Sequence, residues 1–231
     1  MNKNLQKIIT IDGPAGAGKT TMARELARRL TWIYLDTGAL YRALALAAER
    51  RGVDCADQPA AEDLARSLEI TAVPKPEGTA IYVDGEDVTP YLRRPDVSLR
   101  ASTISAWPGV REALLSIQKT LGDKGEVVAE GRDMGTVVFP GAGLKLFLYA
   151  SPEARANRRY KELIAKGENV TYDGVLKDIV HRDECDRNRP VSPLKAAPDA
   201  LTIDSTNLEP DAVLKVMVNA FRNRFFAKYD S

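Results

Sequence analysis

Apolar residues along this chain fall into short blocks separated by glycine-rich turns and longer amphipathic stretches. Ile8-Ile9-Thr10-Ile11 is short, apolar and β-branched, the pattern of a buried strand. A glycine-rich turn follows. From about Lys19 to Leu30, Met22, Leu26 and Leu30 recur at spacing four, which places them on one stripe of a helix. Trp32–Leu35 is a second strand, ended by Asp36-Thr37-Gly38. Leu40 to Arg50 is an alanine-rich helix that Gly52 stops.

From about Asp57 to Pro95 the pattern changes. Prolines stand at 59, 74, 76, 90 and 95, and Glu69–Val73 and Ala80–Val83 are short strand-like runs. Asp84-Gly85 between apolar positions is a hairpin turn signal. The block is too irregular for a strand–helix–strand unit and is expected to be a small inserted subdomain over 57–100. Regular elements then resume: a helix from Val110 to Leu121, strands at Glu126–Ala129 and Leu144–Tyr149, and a basic helix from Pro152 to Lys166. A charged helix from Asp173 to Arg187, a strand at Ala200–Ile203 and a closing helix from Pro210 to Phe226 complete the chain. Four or five apolar strands alternating with helices predict an α/β fold, a mostly parallel sheet covered on both faces. We expect one domain over 1–231 with the insertion inside it.

Composition narrows the class. A chain of 231 residues, 44% hydrophobic and 28% charged, is long enough for a sizeable core without disulfide or metal staples. Lys and Arg number 33 against 32 Asp and Glu. That balance argues against a general nucleic-acid binder. Cys55 and Cys185 are far apart and lack metal-ligand spacing, and no stretch approaches a membrane span. The expectation is a soluble protein of a reducing compartment, the cytoplasm, with neither nucleic acid nor membrane as partner.

The strongest chemical signal is Gly13-Pro14-Ala15-Gly16-Ala17-Gly18-Lys19-Thr20, which matches G-x-x-x-x-G-K-[ST] between a strand and a helix. Glycines let the backbone turn around an anion, and successive N–H groups and the helix start point at phosphates. Lys19 reaches the β- and γ-phosphates, and the Thr20 hydroxyl ligates magnesium. A nucleoside triphosphate with Mg²⁺ is therefore expected at this loop. The loop does not name the acceptor. The chain lacks the N-K-x-D motif of a GTPase, and Val127-Val128-Ala129-Glu130 ends in a single acid. The inserted block and the basic helix fit moving lids around a small acceptor.

Polar clusters at the strand ends lie where open α/β sheets place ligands. Arg42, Arg111 and Arg132 there are suited to bidentate phosphate contacts. Asp133 either accepts from an exocyclic amine of a base or caps its own loop. Arg182 and Asp186, at i and i+4, either hold a sugar hydroxyl or stabilise an exposed helix. Arg155, Arg158, Arg159, Arg187 and Arg189 form the densest basic region, either a closing element that offsets transferring charge or, for some of them, a solvated face. His181, the sole histidine, is expected on a helix surface.

Four motifs in order resemble bacterial cytidylate kinases, the cytidine monophosphate branch of the P-loop nucleoside monophosphate kinases. They are Ile9–Lys19, Leu35–Arg42, Gly131-Arg132-Asp133-Met134-Gly135 through Pro140, and Arg182-Asp183 followed by Asp186-Arg187-Asn188-Arg189. The resemblance runs from Ile9 to about Lys215. It implies five parallel core strands, a nucleoside-monophosphate-binding insertion over 57–100, and a lid region with its adjoining helix over 152–189. It further implies a monomer that transfers the γ-phosphoryl of ATP to CMP or dCMP.

By resemblance, Arg42 and Arg132 hold the acceptor phosphate, with Arg189 from the lid side. Ser102, Arg111 and Asp133 meet the cytosine, and Arg182 and Asp186 the sugar. Thr37 lies among the acceptor contacts, and ATP with Mg²⁺ is the co-substrate, held by Gly13, Gly16, Ala17, Gly18, Lys19, Thr20 and Thr21. Lys19, Arg132, Arg158 and Arg189 act on the transferring group. Ala15 stands where some members have serine, and Glu130 where some have aspartate. The alternatives are a P-loop kinase for another acceptor such as UMP or AMP, and a nucleotide-switch ATPase.

Overall fold

The computed structural model describes residues 6–75, 78–123 and 125–226. The polar chain start at 1–5, Pro76 of the proline cluster, and residues 124 and 227–231 lie outside them. In chain order the elements are β1 (Gln6–Asp12), α1 (Lys19–Leu30), β2 (Ile33–Asp36), α2 (Gly38–Arg50) and α3 (Gln58–Ser67). Then come β3 (Ile70–Lys75), β4 (Gly78–Val83), β5 (Glu86–Asp87), α4 (Pro95–Ile104), α5 (Pro108–Asp123), β6 (Val127–Gly131) and β7 (Ala142–Tyr149). The chain continues through α6 (Pro152–Ala165), α7 (Tyr172–Asn188), β8 (Leu201–Asp204) and α8 (Pro210–Phe226). A 3₁₀ turn covers Thr89–Tyr91, and a π-helical turn covers Met134–Val138.

Five strands form a parallel sheet in the order β2-β6-β1-β7-β8. Alternation along β1 sends its side chains to two different cores. Ile9 and Ile11 face α1 and α8, packing with Met22, Leu26, Met217 and Phe221. Ile8 points the other way, toward Leu121, Met134, Val138 and Phe139. Ile9 and Ile11 are fully buried, which stabilises the fold by about 1.5–3 kcal/mol each. The sequence expectation of a mostly parallel sheet with helices on both faces matches this architecture.

The block from 57 onward contains more order than its prolines suggest. β3, β4 and β5 make a three-stranded antiparallel sheet, closed by a tight turn in which Asp84 and Gly85 both take positive φ, 49° and 83°. Two helices went unforeseen. α3 starts at Asp57, whose carboxylate accepts the Ala60 N–H at 3.2 Å, with Pro59 in the first turn. α4 begins with Pro95 at its first position and stays helical past residue 100 to Ile104. Both prolines are helix starters, because a first-turn residue has no use for its N–H. Together with α2 and α5 these elements enclose a third core that includes Leu44, Leu46, Ile81, Val97, Ile104 and Leu114. Thr79 Oγ1 donates to the Tyr34 carbonyl at 2.9 Å, so the inserted sheet is fastened to the exposed edge of β2.

α6 and α7 pack on each other through a small cluster of Ala156, Val175 and Ile179. Their starts are capped by Ser151 and Thr171, each accepting a backbone N–H at 3.2 Å. No helix among the described residues is long and apolar enough to cross a membrane.

Candidate active site

The carboxyl ends of β2, β6 and β1 line up: Asp36 pairs in register with Glu130, and Asp12 with Gly131. The phosphate loop leaves β1 at this edge. Gly13 has φ +148°, and a Cβ there would meet the Leu148 carbonyl oxygen at 2.0 Å, so only glycine lets the loop cross β7 this closely. Lys19 folds back to donate to the Pro14 carbonyl at 2.7 Å. Burial, followed by the field of Arg132, pushes its ammonium down to about 7, with Arg182 adding and Glu130 and Asp186 opposing. The groups that set this field are the acceptor-side residues, so the two halves of the site adjoin.

On the acceptor side the structure brings together residues from five elements and their loops. Arg42, on α2, pairs with Asp36 at 2.7 Å. Arg132, just past β6, donates through Nε to Asp186 at 2.7 Å. Arg111, in the first turns of α5, pairs with Asp133, donates to the Ser105 carbonyl at 3.2 Å and lies over the Tyr41 ring at 5.4 Å. Arg189 stands 3.7 Å from the other oxygen of Asp133. Ser102, half-buried on α4, sits one turn before Ser105, whose hydroxyl donates to the Ser102 backbone carbonyl at 2.9 Å. Thr37 is buried and donates to the Glu130 carbonyl at 2.7 Å.

Two of the open alternatives close. The Asp133 side chain caps nothing in its own turn and is engaged by Arg111 and Arg189. Asp186 reaches Arg132 across the cleft rather than pairing with Arg182 along the helix. Burial, followed by the nearby Arg132, lowers the Arg182 guanidinium to about 10. Arg42 Nε, Arg111 Nε, Arg182 Nε and Arg189 Nη2 are buried with no hydrogen-bond partner among the described residues. A buried unpaired donor costs about 1–3 kcal/mol, so this cluster is built for acceptors that the protein does not supply.

The basic region divides. Arg155 is fully buried, bidentate to Asp183, and donates to the carbonyls of Ala150 and of Ala15 in the phosphate loop, both at 2.9 Å. It joins α6, α7 and the phosphate loop. Arg158 is held by the Ser205 carbonyl beyond β8, and Arg159 pairs with Glu162 at 2.8 Å. His181 is on the exposed face of α7, as expected.

Several residues of the site carried no role in the sequence reading. Asp36 holds Arg42, and Tyr34 donates to Glu130. Burial and the neighbouring Asp36 push the Glu130 carboxyl upward, while Lys19 opposes them. An acid at the carboxyl end of each of two paired strands, Asp36 on β2 and Glu130 on β6, was the available signal. A groove of about 760 Å³ runs from Thr20 and Thr21 along α1, past Arg24, Trp32, Tyr34 and Lys75, and none of the acceptor-side arginines lines it.

Comparison with known proteins agrees with this geometry. Residues 9–223 match the family described as cytidylate kinase. The cytidylate kinase of Geobacter sp. (strain M21) is 46% identical over 217 residues, covering 94% of this chain and 93% of that protein. The cytidylate kinase of Pseudomonas savastanoi pv. phaseolicola (strain 1448A / Race 6) is 47% identical over 222 residues, covering 95% and 97%. Among solved structures, a shikimate kinase from Bacteroides thetaiotaomicron superposes with a TM-score of 0.50 at 16% identity, covering 93% of this chain and 98% of the other, a likeness of fold alone. A phosphate loop facing an arginine–carboxylate cluster and a family match over nearly the whole length lead to one conclusion: the chain belongs to the cytidylate kinase family.

Proposed function

We propose that this cleft transfers the γ-phosphoryl group of ATP to CMP or dCMP, with the phosphate loop holding the donor and the arginine–carboxylate cluster the acceptor. The observation that carries the assignment of roles is the set of buried, unpaired guanidinium N–H groups on Arg42, Arg111, Arg182 and Arg189, of which Arg182 lies close enough to Lys19 to act on its charge. Such donors fit a phosphate, a pyrimidine ring with its acceptor atoms, and a sugar.

The acceptor phosphate oxygen is already anionic and needs no base. The protein has to align two nucleotides, offset charge and exclude water. Arg42 and Arg132 bind the acceptor phosphate. Arg111 donates to the ring acceptors of cytosine, and Asp133 accepts from its amino group, with Ser102 at the base edge. Arg182 and Asp186 hold the sugar. Lys19 leaves the Pro14 carbonyl for the transferring group, and Arg158 and Arg189 approach from the lid side. The segment 57–100 closes over the acceptor and 152–189 over ATP, which keeps water from the γ-phosphate.

The residues present fit Mg²⁺. The Thr20 hydroxyl lies against Glu130, with Asp36 beside it, a set of hard oxygen donors. Magnesium takes one or two carboxylates and completes its shell with phosphate oxygens and water. When bound, the ion offsets charge on the β- and γ-phosphates. We place the enzyme in the cytoplasm, supported by its unpaired cysteines, and read it as a monomer acting on small nucleotides from its family resemblance.

A coupled assay with ATP and a panel of nucleoside monophosphates tests the reading. Turnover is expected with CMP and dCMP and weaker turnover with UMP. A preference for AMP, or hydrolysis of ATP without an acceptor requirement, overturns it.

A further inference from the structure

Asp12 takes no part in the chemistry set out above, yet it is the last residue of β1 and stands directly before Gly13. Alternation along β1 turns its side chain away from α1, toward the turn that follows β6. There its buried carboxylate accepts the Met134 N–H at 2.8 Å on one oxygen and the Gly135 N–H at 2.7 Å on the other. Met134 and Gly135 open the π-helical turn, whose own hydrogen bonds begin later, from the Val137, Val138 and Phe139 amides. The first N–H groups of any helical turn lack an internal acceptor. In α3, α6 and α7 the capping residue supplies one from its own side chain. Asp133 occupies the corresponding position here and makes no such bond. Asp12 supplies both acceptors from another strand, and the Asp133 carboxylate is left to face Arg111 and Arg189.

A second observation concerns packing. A Cβ on Gly135 would lie 2.9 Å from Thr10 Oγ1, 3.2 Å from Lys145 Cδ and 3.4 Å from Asp12 Oδ2. The turn thus sits directly on β1 with no room for a side chain between them. Burial raises the Asp12 carboxyl to about 6, while the two amides pull the other way; each of its oxygens accepts one N–H, the pattern of a carboxylate.

We propose that Asp12 is a positioning residue for base selection: it caps the turn after Asp133 from a neighbouring strand, frees Asp133 to read the pyrimidine amino group, and ties that reader to the strand carrying the phosphate loop. This rests on the function proposed above. Asp12→Asn keeps the shape but replaces one acceptor by a donor facing a backbone N–H. It is expected to raise the CMP KM about tenfold or more and to narrow the CMP/UMP ratio of kcat/KM. The ATP KM is expected to stay within about threefold, since both Asp12 oxygens accept from the turn after β6 and neither from the phosphate loop.

Steady-state kinetics with CMP, UMP and ATP on the wild-type and variant enzymes provide these numbers, with circular dichroism to follow folding. Equal losses for all three nucleotides, or an unchanged CMP/UMP ratio in a folded variant, overturn the inference. Gly135→Ala offers an independent route if Asp12→Asn does not fold, because its methyl lifts the turn while leaving the carboxylate in place. It is expected to narrow the same ratio, and an unchanged ratio there also overturns the inference. A wild-type enzyme that ignores CMP sinks the function reading and this inference with it, and that result is visible before either variant is made.

Discussion

The phosphate loop and the acceptor cluster face each other at the same sheet edge but are assembled in opposite ways. The loop is a run of consecutive residues, Gly13 to Thr20, shaped by glycines with positive φ and supported on β7 and Arg155. Its binding groups are mostly backbone N–H groups, present wherever that backbone path exists. The cluster is made of side chains from α2, α5, α7 and the segments after β6 and α7, and its order comes from ion pairs: Arg42 with Asp36, Arg111 with Asp133, Arg132 with Asp186. Donor recognition is therefore local and held by backbone geometry. The proposed acceptor site is non-local, and four of its arginines, Arg42, Arg111, Arg132 and Arg189, face an acid.

The largest effect is expected from the loop's one essential side chain. Lys19→Ala should lower phosphoryl transfer by about 10²–10³-fold or more with the far-UV circular dichroism unchanged, since its amine bonds only to a loop carbonyl in the nucleotide-free protein. Activity within twofold of wild type would break the donor assignment.

Arg132→Ala probes the other half and should act on both function and stability. The CMP KM rises and kcat falls, while calorimetry shows ATP binding far less disturbed. Asp186 is left buried without its partner, which costs about 1–3 kcal/mol of stability, visible as a lower Tm. Arg42→Ala should follow the same direction with a smaller loss of stability, because its pair with Asp36 is more exposed. Equal loss of CMP and ATP affinity in either variant would erase the proposed division between the halves.

The smallest and most selective effect belongs to Asp133. Cytosine presents an amino donor at C4 and an acceptor at N3, and uracil reverses both. Each buried mismatch is worth about 1–3 kcal/mol, or roughly a 5- to 150-fold preference for CMP. Asp133→Asn should lower kcat/KM for CMP and narrow the CMP/UMP ratio, measured at one ATP concentration. Proportional loss of both substrates would mean that Asp133 supports the loop and that selection lies with Ser102 and Arg111.

Much of the fold was legible in the chain because its signals are local. The stripe of Met22, Leu26 and Leu30 located α1, the β-branched run before Gly13 located β1, and Asp84-Gly85 located the hairpin. The insertion was legible only in part. Pro59 and Pro95 belong to the proline cluster that makes this block look irregular, although a proline in the turn after a capping aspartate, as Pro59 after Asp57, is a helix start. The phosphate loop could be read whole for the same reason that it works: its function lies in backbone conformation, which consecutive residues encode.

The pairings within the acceptor cluster had no such local code. Arg132 and Asp186 are 54 positions apart, and Arg155 and Asp183 are 28 apart. Composition and motif spacing could nominate these residues, but not say which acid holds which arginine, or that Arg155 is a buried strut rather than a charge delivered to the transferring group. By itself the sequence determined the alternation of strands and helices, the donor loop and the residue types at the strand ends. Tertiary structure alone decided the partners, because burial sets how strongly two charges attract and only folding brings their segments together. Asp12 shows this most clearly. Its place in the chain links it to the phosphate loop, and only the parallel pairing of β1 with β6 turns it into the cap of the turn that follows Asp133.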